Sequence, residues 1–153
     1  MRKIVITLSI IVLVSVAIYY FFFREVRGTD EVFLIPEGLT GCVGVYYNDS
    51  NAKPLTKKDN KILYSIPADG KLMTSSPLYF GWANKNESGS FNADFYYVDK
   101  KGEKIEEISS EKVGLEYTNE TYSSSTGKTM QSYTFYLSDK KNKFPDGVEC
   151  DLK

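Results

Sequence analysis

Histidine is absent from the 153 residues, cysteine occurs twice and tryptophan once. Without imidazole there is no Ser-His-Asp or Cys-His nucleophile, no His-held metal and no imidazole proton shuttle. A cysteine nucleophile would lack its usual base. Arginine is missing after Arg27, and from Gly28 onward 15 Lys face 19 Asp plus Glu, a net charge of −4. That leaves no basic field for nucleic acid. Lys and Glu interleave from Lys100 to Glu107, as on an ordinary solvated surface. Sustained helical periodicity is missing after residue 27, with only a weak trace between Ile105 and Lys112.

What is present is, first, one long apolar run. Ile4 to Phe23 carries no charge and is interrupted only by Thr7, Ser9 and Ser15. At a helical rise of about 1.5 Å per residue the run reaches roughly 30 Å, the hydrocarbon thickness of a bilayer. Arg2 and Lys3 precede it, and Arg24 follows a belt of Tyr19, Tyr20 and three phenylalanines. The positive-inside rule then places the N-terminus in the cytoplasm and the remaining chain outside. Ser15-Val16-Ala17 offers a signal peptidase a small-x-small triplet, so a cut after Ala17 stays open. The pattern favours an uncleaved, single-pass anchor, because a chain starting at Ile18 would expose six large apolar side chains. The expected division is an anchor over residues 1–27, its helix at about 4–23, and an extracytoplasmic domain over 28–153.

The second presence is alternation. Val43, Val45 and Tyr47 share one face of a strand; Ile62, Tyr64 and Ile66 share a face of another. Val113, Leu115 and Tyr117 repeat the pattern, as do Tyr133, Phe135 and Leu137. Pro67-Ala68-Asp69-Gly70 reads as the turn of a hairpin into Lys71–Ser75, and Asp99–Gly102 as the turn of another between Phe95–Val98 and Glu103–Ile108. Asn48–Lys61 reads as loop, and Ser76–Asn92 is the least regular stretch. Seven or eight strands with turns every 8–14 residues predict an all-β domain: a small sandwich of prealbumin-like or immunoglobulin-like kind, or a barrel.

Short motifs dissolve on inspection. Ser109-Ser110-Glu111-Lys112 has S-x-x-K letters without the partner motifs or the large helical domain they need. Gly127-Lys128-Thr129 ends like a phosphate loop, but Tyr122 stands where its first glycine belongs. Asp49-Ser50-Asn51 begins like a calcium loop, and Lys53 takes the next ligand position. No metal ligand set and no cofactor is expected. Trp82 and Tyr79 are candidate contacts for a sugar ring or a partner, set against core packing, the commoner role of such aromatics. Cys42 and Cys150 both fall in the exported part, where an even number suggests one disulfide; two separate thiols remain the alternative.

Two phrases carry a resemblance. Ile35-Pro36-Glu37-Gly38-Leu39-Thr40-Gly41-Cys42-Val43 and Ile66-Pro67-Ala68-Asp69-Gly70-Lys71-Leu72, with Phe95-Tyr96-Tyr97-Val98-Asp99, resemble an uncharacterised family of small exported domains from bacillus-like bacteria. The similarity runs from about Glu31 to Glu107. It implies location and fold and carries no functional residue with it. The layout also resembles prealbumin-like accessory domains of secreted proteins.

The expected function is therefore a non-enzymatic binding module at the cell surface with a protein or cell-envelope partner. A carbohydrate-binding module is the alternative, resting on Trp82 and the tyrosines, and a small hydrolase using paired carboxylates is a third.

Overall fold

The computed structural model describes residues 12–19, 26–123, 128–148 and 150, with residues 121–123 and 128 described by their backbone alone. Residues 12–19 are helical. The rest of the apolar run lies outside the described residues, among which no helix is long and apolar enough to cross a membrane.

The described residues form nine strands in two open sheets, so the barrel alternative is excluded. The first sheet runs β3(Thr56–Lys58), β4(Lys61–Ser65), β1(Glu31–Pro36), β6(Ala93–Val98), β7(Lys104–Glu107). The second runs β5(Lys71–Met73), β2(Gly41–Tyr47), β9(Lys128–Leu137), β8(Val113–Ser123). The strand β1 is parallel to both of its neighbours, β4 and β6.

The register of those parallel pairs sets Tyr64 and Phe95 on either side of Phe33. The three rings stack, with centroids 4.5 Å and 4.8 Å apart and planes within 8° and 14°. From the second sheet Phe135 meets Phe33 edge-on at 5.5 Å. Parallel stacking along a sheet and edge contact between sheets both suit the ring quadrupole. These rings form the centre of one core with Ile35, Val43, Val45, Ile62 and Leu137, all fully buried. Removing a buried ring of this kind costs about 3–5 kcal/mol.

Three local readings are corrected. The Pro67–Gly70 turn closes as expected, Gly70 N–H to Pro67 carbonyl at 3.0 Å with Gly70 at φ 78°. It does not make a hairpin, however: β4 pairs with β1, and β5 pairs in parallel with β2 in the other sheet. The chain crosses between sheets there because Tyr64 is held by Phe33, while Gly70 packs closely enough on Cys42 that a Cβ would lie 2.9 Å from its carbonyl oxygen.

The expected loop 48–61 contains β3, an exposed edge strand joined to β4 by Asp59-Asn60. Both turn residues have positive φ, 50° and 62°, which matches a tight two-residue hairpin.

The alternation of Val113, Leu115 and Tyr117 breaks at a bulge. Gly114 pairs with Tyr136 and Tyr117 with Thr134, so β8 spends one residue more than β9. Leu115 takes φ 51° there, a left-handed conformation costly for a leucine. After the bulge Tyr117 points outward and is exposed, and Thr118 pairs with inward-facing Tyr133.

On the outer face of the second sheet Cys42 and Cys150 are bonded, with Cα atoms 5.3 Å apart. Cys150 is buried. Ahead of it Phe144 sits on Gly114 and meets the Tyr136 ring edge-on.

Candidate binding cleft

Alternation along β1 puts Glu31 on the same inward face as Phe33 and Ile35. It is therefore a carboxyl at the end of the shared core. The Tyr64 hydroxyl donates to Glu31 Oε1 at 2.9 Å. Tyr47 closes the inward series of β2 and hydrogen-bonds to Tyr64. Burial pushes the Glu31 carboxyl up to about 7, and the Tyr64 hydrogen bond offsets part of that rise. Burial also drives the Tyr47 and Tyr64 phenols upward, so both stay protonated across physiological pH.

From the opposite sheet Tyr133 donates to Glu116 Oε2 at 2.8 Å. Its phenol is raised as well, by burial first and by Glu116 second. Glu116 reaches this position because of the bulge, which replaces Leu115 and Tyr117 on the inner face by Glu116 and Thr118. Bulges commonly re-aim a side chain next to a functional site.

Glu31, Tyr47, Tyr133 and Glu116 line an open cleft of about 430 Å³ at one end of the two sheets, with Tyr64 buried behind Glu31. The irregular segment 76–92 supplies a further wall, with Leu78, Trp82, Ser88 and Phe91. That segment is tied to the chain entering β1: Thr29 N–H bonds the Gly81 carbonyl at 2.7 Å and Gly28 N–H the Ser90 carbonyl at 3.0 Å. Gly28 fits only as glycine, since a Cβ would come within 2.4 Å of the Ser88 carbonyl oxygen. The volume and the mix of rings with a few placed polar groups are those of a small-ligand pocket.

The two residues singled out from sequence part company. Trp82 is half-buried in the cleft wall. Tyr79 is 41% exposed and lies outside the cleft lining, with Lys85 Nζ 5.7 Å from its ring. Glu31 and Glu116 escaped the sequence reading. The signal for Glu31 was its phase: it stands two and four residues before Phe33 and Ile35. Tyr64 and Tyr133 were read as core, and a buried phenol needs a polar partner; those partners are the two glutamates. Among the described residues no three of Asp, Glu, Cys or His gather as a metal site would require.

A model of the family of unknown function DUF6843 matches residues 27–144. The chain belongs to that family. The matched segment spans all nine strands of this DUF6843 domain and stops short of Cys150. A crystal structure from Bacillus anthracis, of a protein described as a candidate lipoprotein, is similar to it at 21% identity. The two superpose with a TM-score of 0.61 over 79% of this chain and 84% of the other, a likeness of fold. No curated protein matches the DUF6843 chain.

Proposed function

We propose that this chain is a membrane-anchored, extracytoplasmic binding domain without catalytic activity, and that the cleft between Glu31, Glu116 and Trp82 is where it binds. The anchor rests on the Ile4–Phe23 run with its basic flank, and the single-pass orientation on the charge difference across it. A surface location accords with the description of the Bacillus anthracis protein as a candidate lipoprotein. The fold is read as a β-sandwich of prealbumin-like or immunoglobulin-like kind, and residues 28–153 as one domain.

The cleft carries the functional reading. Its tyrosine hydroxyls are already engaged with the carboxyls and are held protonated by burial. Phenols in that state position a ligand and are poor bases. The partner is a component of the envelope or a small molecule that passes through it.

Trp82 is the sole tryptophan and stands in the cleft wall, so its fluorescence reports occupancy directly. Full-length protein in octaethylene glycol dodecyl ether micelles is titrated with size-fractionated soluble digests of cell envelope. A saturable change in Trp82 emission that Phe91→Ala weakens supports the reading. Turnover of a fraction into new products, or binding indifferent to Phe91→Ala, overturns it. A second reading, a carbohydrate-binding module, rests on the ring of Trp82 in the cleft wall.

A further inference from the structure

Resting on the reading of the cleft as a binding site, the lining narrows the class of ligand. Two carboxyl side chains line it, the half-buried Glu31 and the exposed Glu116, and among the described residues no lysine or arginine does. The phenol protons of Tyr64 and Tyr133 are already given to those carboxyls. What the cleft presents to a guest is two carboxyls, ring faces and the small hydroxyls of Ser88, Ser110 and Thr118. A carboxylate has about four lone-pair sites, and one phenol fills one of them. Trp82, Phe91 and Tyr133 supply aromatic surface around the acceptors. An anion would meet like charge, and a neutral polyol would bring no counter-charge to the carboxylates. A cation with a carbon body satisfies both components, through the carboxylates and through attraction to ring faces.

We propose that the cleft binds a small organic ammonium ion, its charge against Glu116 and Glu31 and its carbon framework against Trp82 and Phe91. The pairing makes binding depend on pH. The titratable groups facing Glu31 are Tyr64 from β4, Tyr47 from β2, Tyr133 from β9 and Glu116 from β8. The three phenols stay neutral, so Glu31 is the group that changes charge near neutrality. Below about 7 it is protonated and offers no negative charge; above, it is ionised and attracts the cation. A bound cation lowers its pKa in turn and expels a proton, by linkage.

Trp82 fluorescence and calorimetry of full-length protein, in the same nonionic micelles, test this with four probes: butylammonium, tetramethylammonium, butyrate and N-acetylglucosamine. Saturable binding of butylammonium or tetramethylammonium, tightening at least threefold from pH 5.5 to 8, is the expected result. Glu116→Gln is expected to weaken it about tenfold without shifting the melting temperature, and Glu31→Gln to abolish the pH dependence. Should Glu116→Gln lower the melting point, Phe91→Ala replaces it as the cleft variant, with the same weakening expected. Saturable binding of butyrate or N-acetylglucosamine in preference to the ammonium ions overturns the proposal and leaves the cleft a binding site. Ammonium binding that ignores pH and both substitutions also overturns it. Silence of Trp82 toward all four probes overturns the proposal, and silence toward the envelope digests as well removes the binding reading beneath it.

Discussion

The Tyr64 hydroxyl donates to Glu31 at 2.9 Å, across the parallel pair of β4 and β1, at the point where the core gives way to the cleft. Phe33, two residues further along β1, lies stacked on the Tyr64 ring. One tyrosine thus links both regions: its ring is core and its hydroxyl holds a carboxyl of the cleft. The core packing thereby fixes where the Glu31 carboxyl stands, and a preplaced group binds a ligand at less entropic cost.

Glu31 should make the folded domain less stable as pH rises. Its folded pKa of about 7 lies above its ordinary value of 4.5. The folded state therefore keeps a proton that the unfolded chain has released between those values. Stability from this group is fully present below about 4.5 and is lost as pH climbs through about 7. Discounted for partial solvent access, the loss is about 1–3 kcal/mol. Asp30 does not confuse the measurement: the Asn92 backbone lowers its pKa below 3.8, so its titration falls at more acid pH. In urea unfolding of full-length protein between pH 5 and 8, Glu31→Gln should flatten the slope and be the more stable form at pH 8. A slope that the substitution leaves unchanged would show that Glu31 titrates as it would in water.

Gly114 should resist enlargement, because the Phe144 ring occupies the place of a side chain: an added Cβ would stand 2.6 Å from its nearest atom. Gly114→Val is expected to cost about 1–3 kcal/mol by overpacking. The origin is checked by a double-mutant cycle. With Phe144→Ala in place the clash is gone, so the two substitutions together should cost less than their sum. Strict additivity would place the cost in the backbone of β8 instead.

Much of the fold is legible in the sequence where neighbours along the chain decide it. The inward series Val43-Val45-Tyr47 and Tyr133-Phe135-Leu137 are buried or half-buried as alternation requires, and β6 and β7 pair antiparallel around Asp99–Gly102. The crossing after β4 is not legible, because Pro67–Gly70 makes the same local turn whether the chain folds back or changes sheet. Stacking of Tyr64 on Phe33, a contact between residues far apart in sequence, makes that choice. The bulge is hidden for a similar reason. Nothing in Val113–Thr118 distinguishes an even strand from one with an extra residue until β9 imposes its register. Since that extra residue brings Glu116 inward, half of the acidic lining of the cleft could not be read from the strand alone. Glu31 could, by asking why a carboxylate stands in phase with Phe33 and Ile35.

The N-terminal run should survive in the mature protein. Mass measurement of protein extracted from membranes is expected to show residues 1–17 present. A mature N-terminus at Ile18 would make the run a cleaved signal and leave the domain without a transmembrane tether.

The Cys42–Cys150 bond should contribute about as much to stability as a buried core ring. It joins residues 108 apart and ties the chain end to β2 in the second sheet. Closing a loop of that length lowers the entropy of the unfolded chain by an amount worth about 4–5 kcal/mol in the chain-entropy model, and measured bonds often give less. A domain of this size has a net stability of ~5–15 kcal/mol in all, so the share is large. The comparison that isolates the bond uses three variants under oxidising conditions: Cys42→Ser, Cys150→Ser and the double substitution. Losing either partner breaks the same link, so all three are expected to melt at one lowered temperature, matched by reduced wild type. Burial of Cys150 is the competing source of stability, because a buried cysteine also packs as a small apolar residue. If packing dominated, the two single variants would differ and the double variant would lose the sum of their costs. Equal melting of the three therefore assigns the stabilisation to the covalent link.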